Sequence, residues 1–478
     1  MEGLANSWDF TLANYSGVWA TLVQIGLLII ALLVGNVLRL RVPLFRKCLI
    51  PSALLGGLLL LFVNIICKRF DFALVDQRFV QVVTYHALGI GFAAMTLKTD
   101  KPKMKTKRSQ LFEFAALQGG VYMMQAFVGL LITIALFLLT KNGGKAISYV
   151  CGLILPLAFG QGPGNALTWD INFTNAAATG FSGNGSFGLS LASIGFIVAS
   201  VFGVIYINYY KKRDLKIREA SEKVTVTDHT NPSGNEIPDN ESIDKFSVQI
   251  GLVAAAYAIA FGIMVLLGIL SDFTNSIAWG FNFMWAAIGA VITKLAVKLC
   301  RKRKWMSREY INNYQMDRIS GFAFDLMIVA GVAAIEIKDI KDYILPIAIL
   351  TLAGIVTTYI YIRRAAKDCF KGMEHEFFLM SFGTLTGTAS NGMILMKEID
   401  PCLKTPVSSL YVLSTFPTMI FVAPLLFLLN FASSSFTNAI VACAVFFVLW
   451  LAYTFYLFRR RILKKKYQGK PENIWSEE

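Results

Sequence analysis

The run Ser148-Tyr149-Val150-Cys151-Gly152-Leu153-Ile154-Leu155-Pro156-Leu157-Ala158-Phe159 leads straight into Gly160-Gln161-Gly162-Pro163-Gly164-Asn165. Further on, Phe377-Phe378-Leu379-Met380-Ser381-Phe382 leads into Gly383-Thr384-Leu385-Thr386-Gly387-Thr388-Ala389-Ser390-Asn391-Gly392. Each is an apolar stretch too short for the roughly 20 residues that a spanning helix needs. Glycine, proline and small hydroxyl or amide residues then break it, and a weakly apolar return follows. Irregular backbone at membrane depth is tolerated only where protein or a water-lined cavity surrounds it. The pattern therefore predicts two re-entrant hairpins, near 148–176 and 374–400.

The chain around them has the composition of a polytopic membrane protein. Of 478 residues 55% are apolar and 16% charged, against roughly 25% charged in soluble domains. The mean hydropathy is +0.57, and the apolar residues come in long blocks. Eleven spans are predicted: Gly17–Leu38, Arg46–Cys67, Phe79–Leu97, Leu111–Leu139, Phe187–Tyr209, Val248–Leu270, Ile277–Leu299, Ile319–Ile337, Tyr343–Ile362, Val407–Leu429 and Phe436–Phe458. Met1–Ser16 has no Lys or Arg, so the first block reads as a retained helix rather than a secretory signal. Seven scattered cysteines without a CxxC pair, and three histidines, offer no zinc-like cluster.

The net charge of +15 would suit nucleic acid or anionic lipid, but its distribution has another source. With the N-terminus outside and both hairpins returning to their side of entry, 37 of the 45 basic residues fall in cytoplasmic segments and 7 outside. Lys294 lies within a span near its cytoplasmic end. This is the positive-inside asymmetry, and no nucleic-acid partner is expected.

The hydrophilic segment 211–247 divides the chain. An external N-terminus (1–16) precedes a first five-span unit (17–210); a second unit (248–430) is followed by an extra span and basic tail (431–478). Phe159-Gly160-x-x-x-Gly164-x-Ala166 echoes Phe382-Gly383-x-x-x-Gly387-x-Ala389, and Gly91-x-Ala93-Ala94 echoes Gly331-x-Ala333-Ala334. Five is odd, so the second unit is inverted. The expected fold is an all-α polytopic membrane protein of two inverted five-span repeats, each with a re-entrant broken hairpin, plus an eleventh C-terminal span. Paired broken helices in inverted repeats point to a secondary transporter with its site between them near the midplane.

A helix that starts in mid-membrane presents N–H groups suited to an anion, and half-helix C-termini present carbonyls suited to sodium. The expected substrate-binding residues are Gln161, Gly162, Gly164, Asn165, Thr168, Thr384, Thr386, Thr388, Ser390 and Asn391. Asp325 joins them as an ionisable residue inside a span. Sodium is placed near Gly160, Gly383, Thr386 and Asp325. Glu113 and Glu336 read as interfacial, His86 as a structural histidine, and Asp170 as a residue near the vestibule. Gly183-x-Gly185-x-x-Gly188 fits a dinucleotide fingerprint only as a string, since no strand precedes it; it reads as a flexible external loop.

These features resemble the bacterial glutamate:sodium symporters. The residues that carry the likeness are Ile50-Pro51-Ser52-Ala53-Leu54-Leu55-Gly56-Gly57, the break at Gly160–Ala166 with Trp169 after it, and the small-residue tip Gly383–Asn391. Where family members commonly show Gly-Gly-His-Gly-Thr, this chain reads Phe159-Gly160-Gln161-Gly162-Pro163. The resemblance implies sodium-coupled uptake of L-glutamate by a homodimer in the bacterial cytoplasmic membrane, N-terminus outside and C-terminus cytoplasmic. No cofactor beyond the coupling ion sodium is expected, and no enzymatic activity. The alternatives are a proton- or sodium-coupled carrier of another small carboxylate and, more distantly, a membrane-embedded enzyme.

Overall fold

The structure, a computed structural model, describes residues 15–98, 108–141, 147–211, 244–305, 308–400 and 405–462. Most of the expected N-terminal segment, of the 211–247 linker and of the C-terminal tail, and residues 99–107, lie outside the described residues. Among the described residues every regular element is helical. Eight helices among the described residues are long and apolar enough to cross a membrane, or nine if one bent pair counts as a span.

The first half contains α1 (Tyr15–Arg41), the short α2 (Pro43–Lys47), α3 (Ser52–Lys68), α4 (Gln77–Leu97) and α5 (Arg108–Thr140). It continues with α6 (Ile154–Gly160), α7 (Pro163–Asn175) and α8 (Ser186–Lys211). The second half contains α9 (Lys245–Leu270), α10 (Asp272–Gly280), α11 (Asn282–Lys302), α12 (Asn313–Ala333), the short α13 (Ile337–Ile340) and α14 (Ile344–Cys369). Then come α15 (Glu374–Thr386), α16 (Ala389–Lys397), α17 (Val407–Ser433) and α18 (Phe436–Ile462).

Several expected spans take a different form, each for a local reason. Arg46–Cys67 is not one helix: the chain turns at Cys48–Pro51, where Leu49 takes a positive φ of 54°, and Pro51 then stands at the cap of a 17-residue α3. Ile277–Leu299 is split at Phe281, whose φ of −126° and ψ of 46° leave the helical region, and the piece before the split, α10, starts at Ser271 with a capping box straight after α9. Ile319–Ile337 is shifted towards the N-terminus, since the Asn312 side chain accepts from Gln315 N–H at 2.8 Å and starts α12 early. Val407–Leu429 is bent by 51° between Thr415 and Pro417, where proline removes a helical hydrogen bond.

Packing runs through a few long helix-to-helix contacts. α1 lies along α3 and α9 along α11; α4 contacts α11 as α12 contacts α3. α4 and α12 pack along their full length and run antiparallel. Gln77 donates to the Ala334 carbonyl (3.3 Å) at one end, and Lys98 meets Asp317 (2.7 Å) at the other. α5 and α14 pack together in a second, larger core with α17 and α18. Charged contacts gather at the two ends. Lys68 pairs with Glu336 at one, while Lys294 donates to the Lys98 carbonyl (2.6 Å) and Arg459 pairs with Glu113 (2.9 Å) at the other.

Candidate functional site

Two interrupted helices stop in the interior of this bundle, and their tips meet. In the first, α6 ends at Gly160 and α7 begins at Pro163. Between them Gly162 takes φ 84° and ψ −173°, a region essentially confined to glycine. Pro163 then opens α7 at a position where its missing N–H leaves no bond unmade. The base of this hairpin is closed by Ser148 donating to the Thr179 carbonyl (2.7 Å) and by Tyr149 donating to the Ala178 carbonyl (3.1 Å). In the second, α15 ends at Thr386 and α16 starts at Ala389.

A Cβ built on Gly162 would stand 3.3 Å from Thr388 Cγ2 and 3.8 Å from Met327 Cε of α12. One built on Gly195 of α8 would come within 2.5 Å of the Thr386 carbonyl oxygen. The two breaks therefore face each other between α8 and α12. Two helix N-termini, those of α7 and α16, and two C-termini, those of α6 and α15, converge there and bring partial charges of both signs.

Gln125, fully buried halfway along α5, ties the tips to the second core. Its Nε2 donates to Thr358 Oγ1 of α14 (2.9 Å) and to the Leu385 carbonyl (3.1 Å). Tyr122, one turn earlier, donates to the Gly160 carbonyl (2.7 Å). Sequence reading missed both. Gln118 and Gln125, seven residues apart in the otherwise largely apolar stretch 114–132, were the available signal, because an amide is costly at that depth unless it has work there.

The polar atoms at the tips fall into two groups. In the first, nothing in the protein meets them: both Nδ2 and Oδ1 of Asn165 (1% exposed), Nδ2 of Asn391 (4% exposed), Oε1 of Gln161 and of Gln125, and Oγ1 of Thr388. Each such buried group costs about 1–3 kcal/mol, and six such atoms gather at this one meeting point. In the second group the donor is already spent within the helix. Thr168 bonds the Gly164 carbonyl (2.8 Å), Thr384 that of Met380 (2.7 Å) and Thr386 that of Phe382 (2.6 Å).

Other expected site residues have packing roles. A Cβ on Gly164 would meet Leu88 Cβ of α4 at 2.9 Å, and one on Gly160 the Tyr122 ring at 2.3 Å. One on Gly383 would meet Gly392 Cα at 2.6 Å, where the two arms of the second hairpin touch. Ser390 is exposed, on the outer side of α16. Asp325 is not brought to the tips. It lies two residues before Met327, about 200° around α12, and its charged neighbour is Arg39. Of the positions expected to hold sodium, Thr386 directs its backbone carbonyl towards Gly195 of α8, and the Gly160 carbonyl at the end of α6 accepts from Tyr122.

Asp170 also differs from expectation. It is fully buried, and its two carboxyl oxygens accept from Gly185 N–H (2.8 Å) and Gly188 N–H (2.7 Å). The Gly183–Gly188 segment is therefore a fixed connection from α7 into α8, not a flexible loop. His86 Nδ1 lies 2.9 Å from the Tyr257 hydroxyl. Residues 146–169 and 377–396 contain no charged side chain at all. No family model matches the chain, and no curated protein sequence matches it.

Proposed function

We propose that the chain is a secondary active transporter that carries a small carboxylate-bearing solute together with sodium by alternating access. L-glutamate is the candidate substrate. The observation that carries this reading is the meeting of two interrupted helices where both amide atoms of Asn165 and the Nδ2 of Asn391 are buried without a partner in the protein. A soluble-type pocket would fill such atoms with neighbouring side chains; here they surround a point where helix N-termini favour a carboxylate and helix C-termini a cation.

An inverted repeat is the natural frame for such a site, and the packing supports one. Gly56 of α3 lies so close to α1 that an added Cβ would stand 2.3 Å from the Ala31 carbonyl; Gly289 of α11 lies likewise against α9, at 2.2 Å from the Ala256 carbonyl. The matched helices α4 and α12 run antiparallel, as an inversion requires. α7 touches α4 and α12, whereas α6 and α15 pack into the α5–α14 core. The tips thus stand between two cores, and movement of one past the other would open the site to alternate sides. The protein works in this reading as a homodimer in the bacterial cytoplasmic membrane, N-terminus outside and C-terminus cytoplasmic.

The test is uptake by purified protein in sealed liposomes, with an imposed sodium gradient and a panel of amino and dicarboxylic acids. Gradient-dependent accumulation of L-glutamate or a related anion is expected. Absence of accumulation for every anion in tight vesicles would overturn the transporter reading. Uptake driven by a proton gradient alone would change only the coupling ion.

A further inference from the structure

The tips carry a charge inventory that constrains what they can hold. No Asp, Glu, Lys, Arg or His occurs in 146–169 or 377–396, and none occurs along α5 between Phe114 and Thr140 or along α14 between Ile344 and Ile362. The nearest charged side chains stand away from the tips: Glu376 lies ten residues before Thr386 on α15 and Lys397 eight residues after Ala389 on α16, about 15 Å and about 12 Å along their helices. Asp170 is held by two N–H groups at the start of α8, and Asp325 is turned towards Arg39 on the far side of α12. His86, on α4, meets Tyr257. The backbone contribution also cancels. Two helix N-termini and two C-termini each present about half an elementary charge, of opposite sign. The site therefore has a positive lobe and a negative lobe and no net charge.

We infer that its cargo is electrically neutral as a set: one monoanionic solute together with one monovalent cation. This inference rests on the transporter reading and specifies its cargo. The carboxylate lies against the N-termini of α7 and α16, with the Asn165 and Asn391 amides as further donors. The cation lies against the carbonyl ends of α6 and α15, with the Gln125 and Gln161 oxygens beside it. A dianion with one cation, or a zwitterion with one cation, would leave a buried charge that nothing here offsets. L-glutamate, with two carboxylates and one ammonium, meets the condition with a single sodium ion.

The experiment uses the full-length protein in liposomes, with a fixed sodium gradient and the membrane potential clamped by potassium and valinomycin. Labelled L-glutamate should accumulate to the sodium ratio, and to the same level at zero and at negative-inside potential. One uncompensated charge would change that level about tenfold for each ~59 mV. Such a change would overturn the neutral-cargo inference while leaving the transporter reading intact; absence of accumulation at either potential would overturn both. Succinate and L-alanine should enter at least about tenfold more slowly than L-glutamate, and equal rates would count against the inference. Asn391→Asp adds one fixed negative charge and should move the preference from L-glutamate towards L-alanine, whereas Asn391→Ser should lower uptake without reversing the order. An unchanged preference in Asn391→Asp would overturn the charge balance argued here.

Discussion

Asn165 and Asp170 stand five residues apart on the same short helix, both fully buried, and their surroundings are opposite. The Asp170 carboxyl receives an N–H on each oxygen and fixes the passage from α7 to α8. The Asn165 amide, at the tip, receives nothing on either atom. Burial alone does not mark a functional residue. A buried polar group whose bonds close within the fold is structure; one whose bonds stay open, at a meeting point of helix ends, is a place for a ligand.

The largest effect on stability is therefore expected at Asp170. Asp170→Ala leaves two buried N–H groups unpaired and should lower stability by about 3 kcal/mol, read as a fall in the unfolding midpoint of the detergent-solubilised protein. Asp170→Asn keeps one acceptor and should lose about half as much. A midpoint unchanged in Asp170→Ala would show that the Gly185 and Gly188 contacts contribute nothing.

Asn165→Ala should behave in the reverse way. No bond is lost, so the unfolding midpoint should move by the equivalent of less than about 1 kcal/mol. The apparent substrate constant, by contrast, should rise by about tenfold, which corresponds to ~1.4 kcal/mol. A loss of stability as large as that of Asp170→Ala would place Asn165 with the structural residues and remove the main support for the site.

How much of this was readable beforehand depends on the kind of signal. The helical, membrane-like character follows from composition and block length, which act over many residues. The interruption at Gly160–Pro163 was readable because Gly162 needs a backbone region open only to glycine and Pro163 cannot continue a helix. The split at Phe281 was not, because no proline stands there and hydropathy runs through it; Ser271 starts the new helix by a cap that hydropathy does not weigh. Asp325 was misplaced for a similar reason. Sequence gives its depth in α12, but the face it takes depends on which residues of that helix meet the tips, and Met327 does. Gln125 carries no local mark of its role, which comes from a contact with Leu385, 260 positions away.

The smallest effect is expected at Thr384, and it tests the same distinction within the second hairpin. Its hydroxyl donates to the Met380 carbonyl one turn back, and Gly392 of the returning arm lies so close that a Cβ there would be 2.5 Å from Thr384 Oγ1. The side chain is thus enclosed between the arms rather than presented to the meeting point. Valine has nearly the same shape, and the Met380 carbonyl keeps its place in the helix when the hydroxyl is removed. Back-bonding of this kind contributes little to helix stability. Thr384→Val should therefore change stability by less than about 1 kcal/mol, with sodium and substrate constants unchanged within measurement error. A marked rise in the sodium constant alone would mean that the Thr384 oxygen reaches the ion, and the negative lobe of the site would then extend between the arms of the hairpin rather than ending at Thr386.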